Sequence, residues 1–446
     1  MANKRSSRRR CETAYLQMMP SNTNSTRTAG AVLPFYAFGV VSFLVLTIAM
    51  LFSSNAFIGH YFSPKLLAIT HIATLGWASM IIFGSLHQLL PILLDNALHS
   101  MVYAKITFYS FAIGIIVLVY SFWTFSLGIP LQLAAVLLLS GATILFLNIV
   151  FTARNTGKPA IHAVFIITAA GWFWLTVFLG TLMTFNFTYS FLPSEQLFYL
   201  RIHAHIGMAG WFILLIIGVS SKLIPMFLLS PAMDTKKLYY SYFIINGALL
   251  AFLVDALIFN ETHRGGIYFS LAIIGIAIYV FTVIKSFKSR VRKALDIGMK
   301  QTFLAVFFVF LPIVFGWIST SNLFPVSPFL MQITLVYGAS FFMGFISLLI
   351  LGQSFKTLPY IIWLDKYQNM SGKKGTPLPK DLFSEKLLRY QMVVFIIGYI
   401  LLLSGIISSL VLLITIANSI LIIAAILYVI NIFKMFVHKP AHATIT

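Results

Sequence analysis

Apolar runs long enough to cross the hydrocarbon core of a bilayer recur from one end of this chain to the other, and they leave few folds open to it. A membrane-crossing helix needs about 20 predominantly apolar residues. Twelve such runs can be placed, near 33–53, 66–91, 104–124, 130–151, 161–185, 200–225, 239–259, 267–285, 302–322, 331–355, 389–411 and 413–433. The cuts between them fall at proline, glycine and charge clusters such as "ARNTGKP" (153–159) and "KSFKSRVRK" (285–293). Composition agrees: 60% of residues are hydrophobic and 9% charged, against roughly 45–50% and about 25% in soluble domains. The expected fold class is an all-α membrane protein with twelve transmembrane helices.

A net charge of +20 does not make this a nucleic-acid binder, because the cations sit in short segments between apolar runs. The tail before 30, the 152–160 turn, 226–238, 285–300, 356–389 and the C-terminal "HKPAHATIT" are basic or lie on the same side as basic segments. By the positive-inside rule that side is cytoplasmic, with both termini there and the lipid bilayer as partner. The single cysteine, Cys11, excludes an intrachain disulfide and a CxxCH haem attachment. The basic "KRSSRRR" lies too far before the first apolar run for an ordinary signal peptide. Residues 1–30 therefore read as a basic cytoplasmic tail, 31–433 as one membrane domain and 434–446 as a second cytoplasmic tail. Within the domain, 356–389 reads as a mobile loop.

The chain repeats itself. Helix two reads "HIATLGWASMIIFGSLHQLLP" from His71, helix six "HIGMAGWFILLIIGVSSKLIP" from His205, and helix ten "ASFFMGFISLLILGQSFKTLP" from Ala339. These starts are 134 residues apart in succession, and without a gap Gly76, Gly210 and Gly344 align, then Gly84, Gly218 and Gly352, then Pro91, Pro225 and Pro359. This frame predicts three four-helix quasi-repeats (about 31–160, 161–300 and 301–433) around a pseudo-threefold axis. Small residues let membrane helices approach closely, and they also leave room for a flat ligand.

Ionisable residues inside a membrane are costly and usually mark sites. His71 and His205 share a repeat position, roughly 10 Å into their spans, as an axial pair on one cofactor requires. His203 stands two residues before His205, so the two side chains diverge by about 200° and point into neighbouring clefts. The metal candidates are thus His71, His203 and His205, with His71 and His205 as the favoured pair. No cysteine, no acidic residue in these helices and no converging third histidine supports a tetrahedral metal site. Haem needs only one or two imidazoles and a large apolar slot, and Arg201 near the boundary is a candidate partner for a haem propionate. Asp255 is an intramembrane carboxylate suited to proton relay or to a helix-end pair. His87 reads as an inner-end residue, His60 and His263 as outer-loop residues, and His438 and His442 as tail residues.

The motif His203-Ala-His205-Ile-Gly207-Met-Ala-Gly210-Trp211, with the later "KLIP", resembles the haem-ligating helix of haem–copper oxidase subunit I, most closely its C-type bacterial branch. That family also has twelve helices in three quasi-repeats, with both termini inside. The resemblance implies a bacterial inner-membrane protein holding haem b, with His205 and His71 as low-spin ligands and His203 as a high-spin ligand. It does not extend to copper: the motif lies in helix six rather than ten, helix ten offers Ala339, and helix seven ("LYYSYFIINGALLAFLVDALIF") lacks the family's histidine pair. The functions implied are electron transfer, from an electron-donor protein or quinol, or handling of a diatomic gas such as NO or O2. An oxidoreductase activity would not include the usual oxygen-reducing centre. The alternatives are an NnrS-like haem membrane protein of stress or sensing, and a cofactor-free transporter or scaffold.

Overall fold

The computed structural model describes residues 25–439, apart from 95, 155–159, 261–263, 326, 373 and 374, with side chains from residue 29. Residues 1–24 of the expected N-terminal tail, with Cys11, most of the 153–159 turn, His263 and His442 lie outside the described residues, whereas 25–30 are helical. Among the described residues twelve helices are long and apolar enough to span a membrane: α1 Ala29–Phe52, α2 Pro64–Leu93, α3 Met101–Trp123, α4 Ile129–Ala153, α5 Ile161–Tyr189, α6 Gln196–Leu228, α7 Thr235–Phe259, α8 Gly265–Lys288, α9 Ile297–Thr320, α10 Pro328–Met370, α11 Glu385–Ser408 and α12 Val411–Phe436. Between them the described residues form turns and short 3₁₀ segments, with no strand.

Three helices make the interior. α2, α6 and α10 each bury 67% of their most apolar stretch, and no other span exceeds 56%. All three touch one another: Trp211 Nε1 donates to Ser79 Oγ (3.4 Å), Trp77 Nε1 donates to Ser347 Oγ (2.9 Å), and Phe212 meets Phe341 and Phe342 at ring distances of 6.2 and 5.8 Å. α1, α5 and α9 pack on α2, α6 and α10 respectively, while α3–α4, α7–α8 and α11–α12 form hairpins around them.

The glycines explain the close approach. A Cβ on Gly84 would come to 3.0 Å from Phe35, one on Gly218 to 2.8 Å from Phe165, and one on Gly352 to 2.7 Å from the Gly298 carbonyl. Each therefore seats an inner helix against the helix that precedes it, a packing role general to small residues in membranes. Directly after His71, His205 and Ala339 the helices widen into eight-residue π-helical segments, Ile72–Ser79, Ile206–Ile213 and Ser340–Ser347. Such turns, with i→i+5 hydrogen bonding, concentrate at functional sites.

One expectation is corrected. The 356–389 stretch is not a loop throughout, because α-helix continues to Tyr367. Its "YIIWLDKY" extension buries Ile361, Ile362, Leu364 and Tyr367, which supplies the apolar contact that helix beyond the bilayer needs. Lys366 Nζ then donates to the Phe436 and His438 carbonyls (2.7 and 2.9 Å), satisfying the open end of α12.

Candidate functional site

Two imidazoles oppose each other between α2 and α6, and they belong to His71 and His203. Their ring centroids are 6.5 Å apart with planes inclined by 32°. Each residue stands seven positions after the start of its helix, Pro64 or Gln196, so each lies roughly 10 Å along it. His71 Nδ1 donates to the Leu67 carbonyl at 2.7 Å and its ring lies 5.1 Å from that of Phe122. His203 Nδ1 donates to the Thr176 carbonyl on α5 at 3.0 Å. With both Nδ1–H groups engaged, the neutral rings keep the Nε2 lone pair, the form in which imidazole binds a metal.

Sequence reasoning passed over the residues that seat this pair. Gly180 lies four residues after Thr176 and hence on the same face of α5. A Cβ there would stand 3.0 Å from His203 Cε1, so its absence gives the ring access to the Thr176 carbonyl. Lys65, at the start of α2, donates to the Trp123 carbonyl (3.3 Å) and lies 3.6 Å over the Trp123 ring. It puts a cation on Trp123, the residue after the Phe122 that His71 meets. Gly180 and Thr176 share a helix face, a signal visible in the sequence; the partner helix is not.

The favoured pairing of His71 with His205 is therefore corrected. His205 donates from Nδ1 to the Arg201 carbonyl (2.8 Å), and its ring sits among Phe252, Phe269 and Tyr337, at 5.9, 6.5 and 6.0 Å. Its Nε2 is buried without a hydrogen-bond partner. The reason lies in how repeated segments meet. In a head-to-tail arrangement of three repeats, the one the sequence frame expects, equivalent positions would face successive clefts and only inequivalent positions would come together. The two tryptophan–serine bonds behave the same way.

His205 lines a cavity of about 510 Å³ bounded by α6 to α10 and also by residues of α1, α2 and α11, Leu67 among them, a size within the roughly 300–1,000 Å³ usual for small-molecule and cofactor sites. Arg201 is exposed and lines this cavity together with His60, so it stands on the His205 side and not between the opposed pair. Asp255 is buried and pairs through Oδ1 with Arg264 at 3.2 Å, a helix-end ion pair. His87 lies six residues before the Leu93 end of α2. It is fully buried, stacks on Phe35 (5.5 Å, 25°) and donates from Nδ1 to the Phe83 carbonyl. His438 Nδ1 bonds the Tyr367 hydroxyl at 2.5 Å.

Among the described residues no group of three histidine, cysteine or acidic side chains converges as a metal cluster. The sites built here are two-imidazole and one-imidazole sites. Comparison of the sequence with known family models and with curated proteins finds no match.

Proposed function

We propose that this chain is a haem-binding membrane protein of the bacterial inner membrane, built like subunit I of the haem–copper oxidases. His71 and His203 hold one b-type haem, and its work is electron transfer. The observation that carries this reading is the opposed imidazole pair. His71 and His203 would hold the iron between their rings, which needs two imidazoles a single metal's width apart. The 6.5 Å separation fits. Both Nδ1–H groups bond backbone carbonyls, the usual support for a ligating histidine, and Lys65 supplies a cation near the helix start for a propionate. Bound there, haem supplies a one-electron iron couple. Bis-imidazole ligation leaves no open iron position, which favours electron transfer over gas handling.

The architecture supports the kinship. The three π-helical segments begin 134 residues apart, and the bonds from Trp211 to Ser79 and from Trp77 to Ser347 link matching positions of successive units. The third such position pairs Phe345 with Ile213, both lining a cavity of about 150 Å³. These matching positions support a cyclic order of three units, with an apolar position where the third polar link would fall. The basic segments on one side support a cytoplasmic location for both termini.

The test is a reduced-minus-oxidised visible spectrum and a haem assay on protein purified from haem-replete cells. The expected result is a sharp b-type α band at one haem per chain, with no carbon monoxide shift. A colourless preparation would overturn the reading in favour of a cofactor-free scaffold or transporter.

A further inference from the structure

The cavity of about 510 Å³ is lined by neither His71 nor His203, and its shape and charge are its own. It begins where α6 begins, beside the α1–α2 and α9–α10 loops at His60 and Asn322, and reaches Ile213 on α6. From Arg201 to Ile213 is roughly 18 Å of helix rise. That is close to the depth of one leaflet, half of a hydrocarbon core about 30 Å thick. Below the entrance the wall is apolar, with Ile276 of α8, Val309 and Ile313 of α9 and Phe342 of α10. A cavity of about 150 Å³ takes one benzene, hence six carbons, so this one has room for roughly twenty: one long acyl chain and not two. α8 and α9, which close it on one side, each bury only 22% of their most apolar stretch, so little protein stands between the cavity and the lipid. No acidic residue lines it, and its one permanent cation is Arg201. That side chain is exposed and has no carboxylate partner among the described residues.

We infer that this cavity binds one long-chain carboxylate, the anion of a fatty acid, with its headgroup on the Arg201 guanidinium and its chain lying along α6, α8, α9 and α10. Each end of the cavity selects one end of the ligand. The planar guanidinium matches the two oxygens of a carboxylate, and an uncharged chain would leave that cation without a counter-charge. The apolar wall rewards burial of methylene groups, which a small soluble anion lacks. The volume accommodates a single chain and so excludes the two chains of a phospholipid. This site needs no iron and stands independently of the haem reading.

The test is photolabelling of the full chain in phosphatidylcholine nanodiscs, at alkaline pH, with radiolabelled palmitate that carries a diazirine in mid-chain. The expected result is saturable labelling on the cavity-lining parts of α8, α9 or α10. Unlabelled palmitate should displace it, whereas hexadecanol, with the same chain and no charge, and dipalmitoylphosphatidylglycerol, with two chains and a phosphate, should not. Arg201→Gln should weaken binding by about tenfold or more, the effect of losing a hydrogen bond to a charged group, and Arg201→Lys should keep most of it. Gly338 lines the cavity and a Cβ there meets nothing within 4 Å, so Gly338→Phe should fill the chain's path and abolish the saturable labelling. Displacement by hexadecanol or by the phospholipid as effective as that by palmitate would overturn the inference, in the wild-type chain alone. So would unchanged labelling in either Arg201→Gln or Gly338→Phe. A fall from two haems per chain to one in Gly338→Phe would also overturn it, since the cavity would then hold a porphyrin. Saturable labelling of a colourless protein would overturn the haem reading and leave this one standing.

Discussion

At the scale of single residues, the site depends on what is missing from one side chain. Gly180 lets the His203 ring lie against α5, where it reaches the Thr176 carbonyl. Replacing it with valine places branched carbon where the ring now is, moving both the ring and its orienting hydrogen bond. Loss of such an orienting partner typically costs 10–100-fold in affinity for a bound metal. Gly180→Val is therefore expected to lower haem occupancy by about tenfold or more, as measured by haem content per chain. Gly171→Val on the same helix, where a Cβ would meet only the Phe146 ring at 3.7 Å, should leave it unchanged. Equal haem content in both variants would remove Gly180 from the site. That His71, His203 and His205 are candidates was legible in the sequence, because ionisable residues in apolar helices stand out. Their pairing was not. Repeat register suggested that matching positions meet, whereas the rings that oppose each other are those at equal distance from their helix starts.

At the scale of elements, the twelve spans were readable from apolar length alone, with ends displaced by a few residues at most of them. α10 shows where that reading stops. Charges and the Thr-Leu-Pro at 357–359 suggested an end, yet the helix runs on because its extension buries Trp363 and Tyr367 and holds the end of α12. Lys356, within this helix, pairs with Asp296 at the start of α9. Burial alone would raise the Asp296 carboxyl, but Lys356, the Met299 N–H (3.0 Å) and Arg292 (3.6 Å) outweigh it and hold the group below its ordinary value. A carboxyl depressed in the folded state stabilises above its unfolded pKa, about 3.9. That contribution is lost as pH falls through the lower folded value. Thermal scans in detergent should show wild-type stability level near neutrality and falling as pH drops below about 4. Asp296→Asn should be less stable near neutrality, with a shallower acid loss. Identical pH profiles would show that the pair contributes nothing. The π-helical widening was not read from the sequence, although each segment carries a glycine of the repeat frame, Gly76, Gly210 or Gly344.

At the scale of the whole molecule, three inner helices surrounded by nine provide the clefts in which the sites lie. The sequence frame of 134 residues anticipated which helices would be inner. Their head-to-tail contacts, and the cavity at His205, appear only when the helices are assembled. The orientation can be checked with the chain's one cysteine. A membrane-impermeant thiol reagent should label Cys11 in inverted vesicles and not in intact spheroplasts; the opposite pattern would invert the topology. The proposed haem joins α2 to α6, and the choice of ligands is open to direct measurement. Reduced-minus-oxidised spectra of His71→Ala, His203→Ala and His205→Ala, recorded beside wild type at matched protein, test it most directly. The α band should vanish or become carbon-monoxide-sensitive in His71→Ala and His203→Ala, return on adding imidazole, and persist in His205→Ala. Loss of the band in His71→Ala and His205→Ala, with His203→Ala unchanged, would contradict the pairing and with it the proposed site.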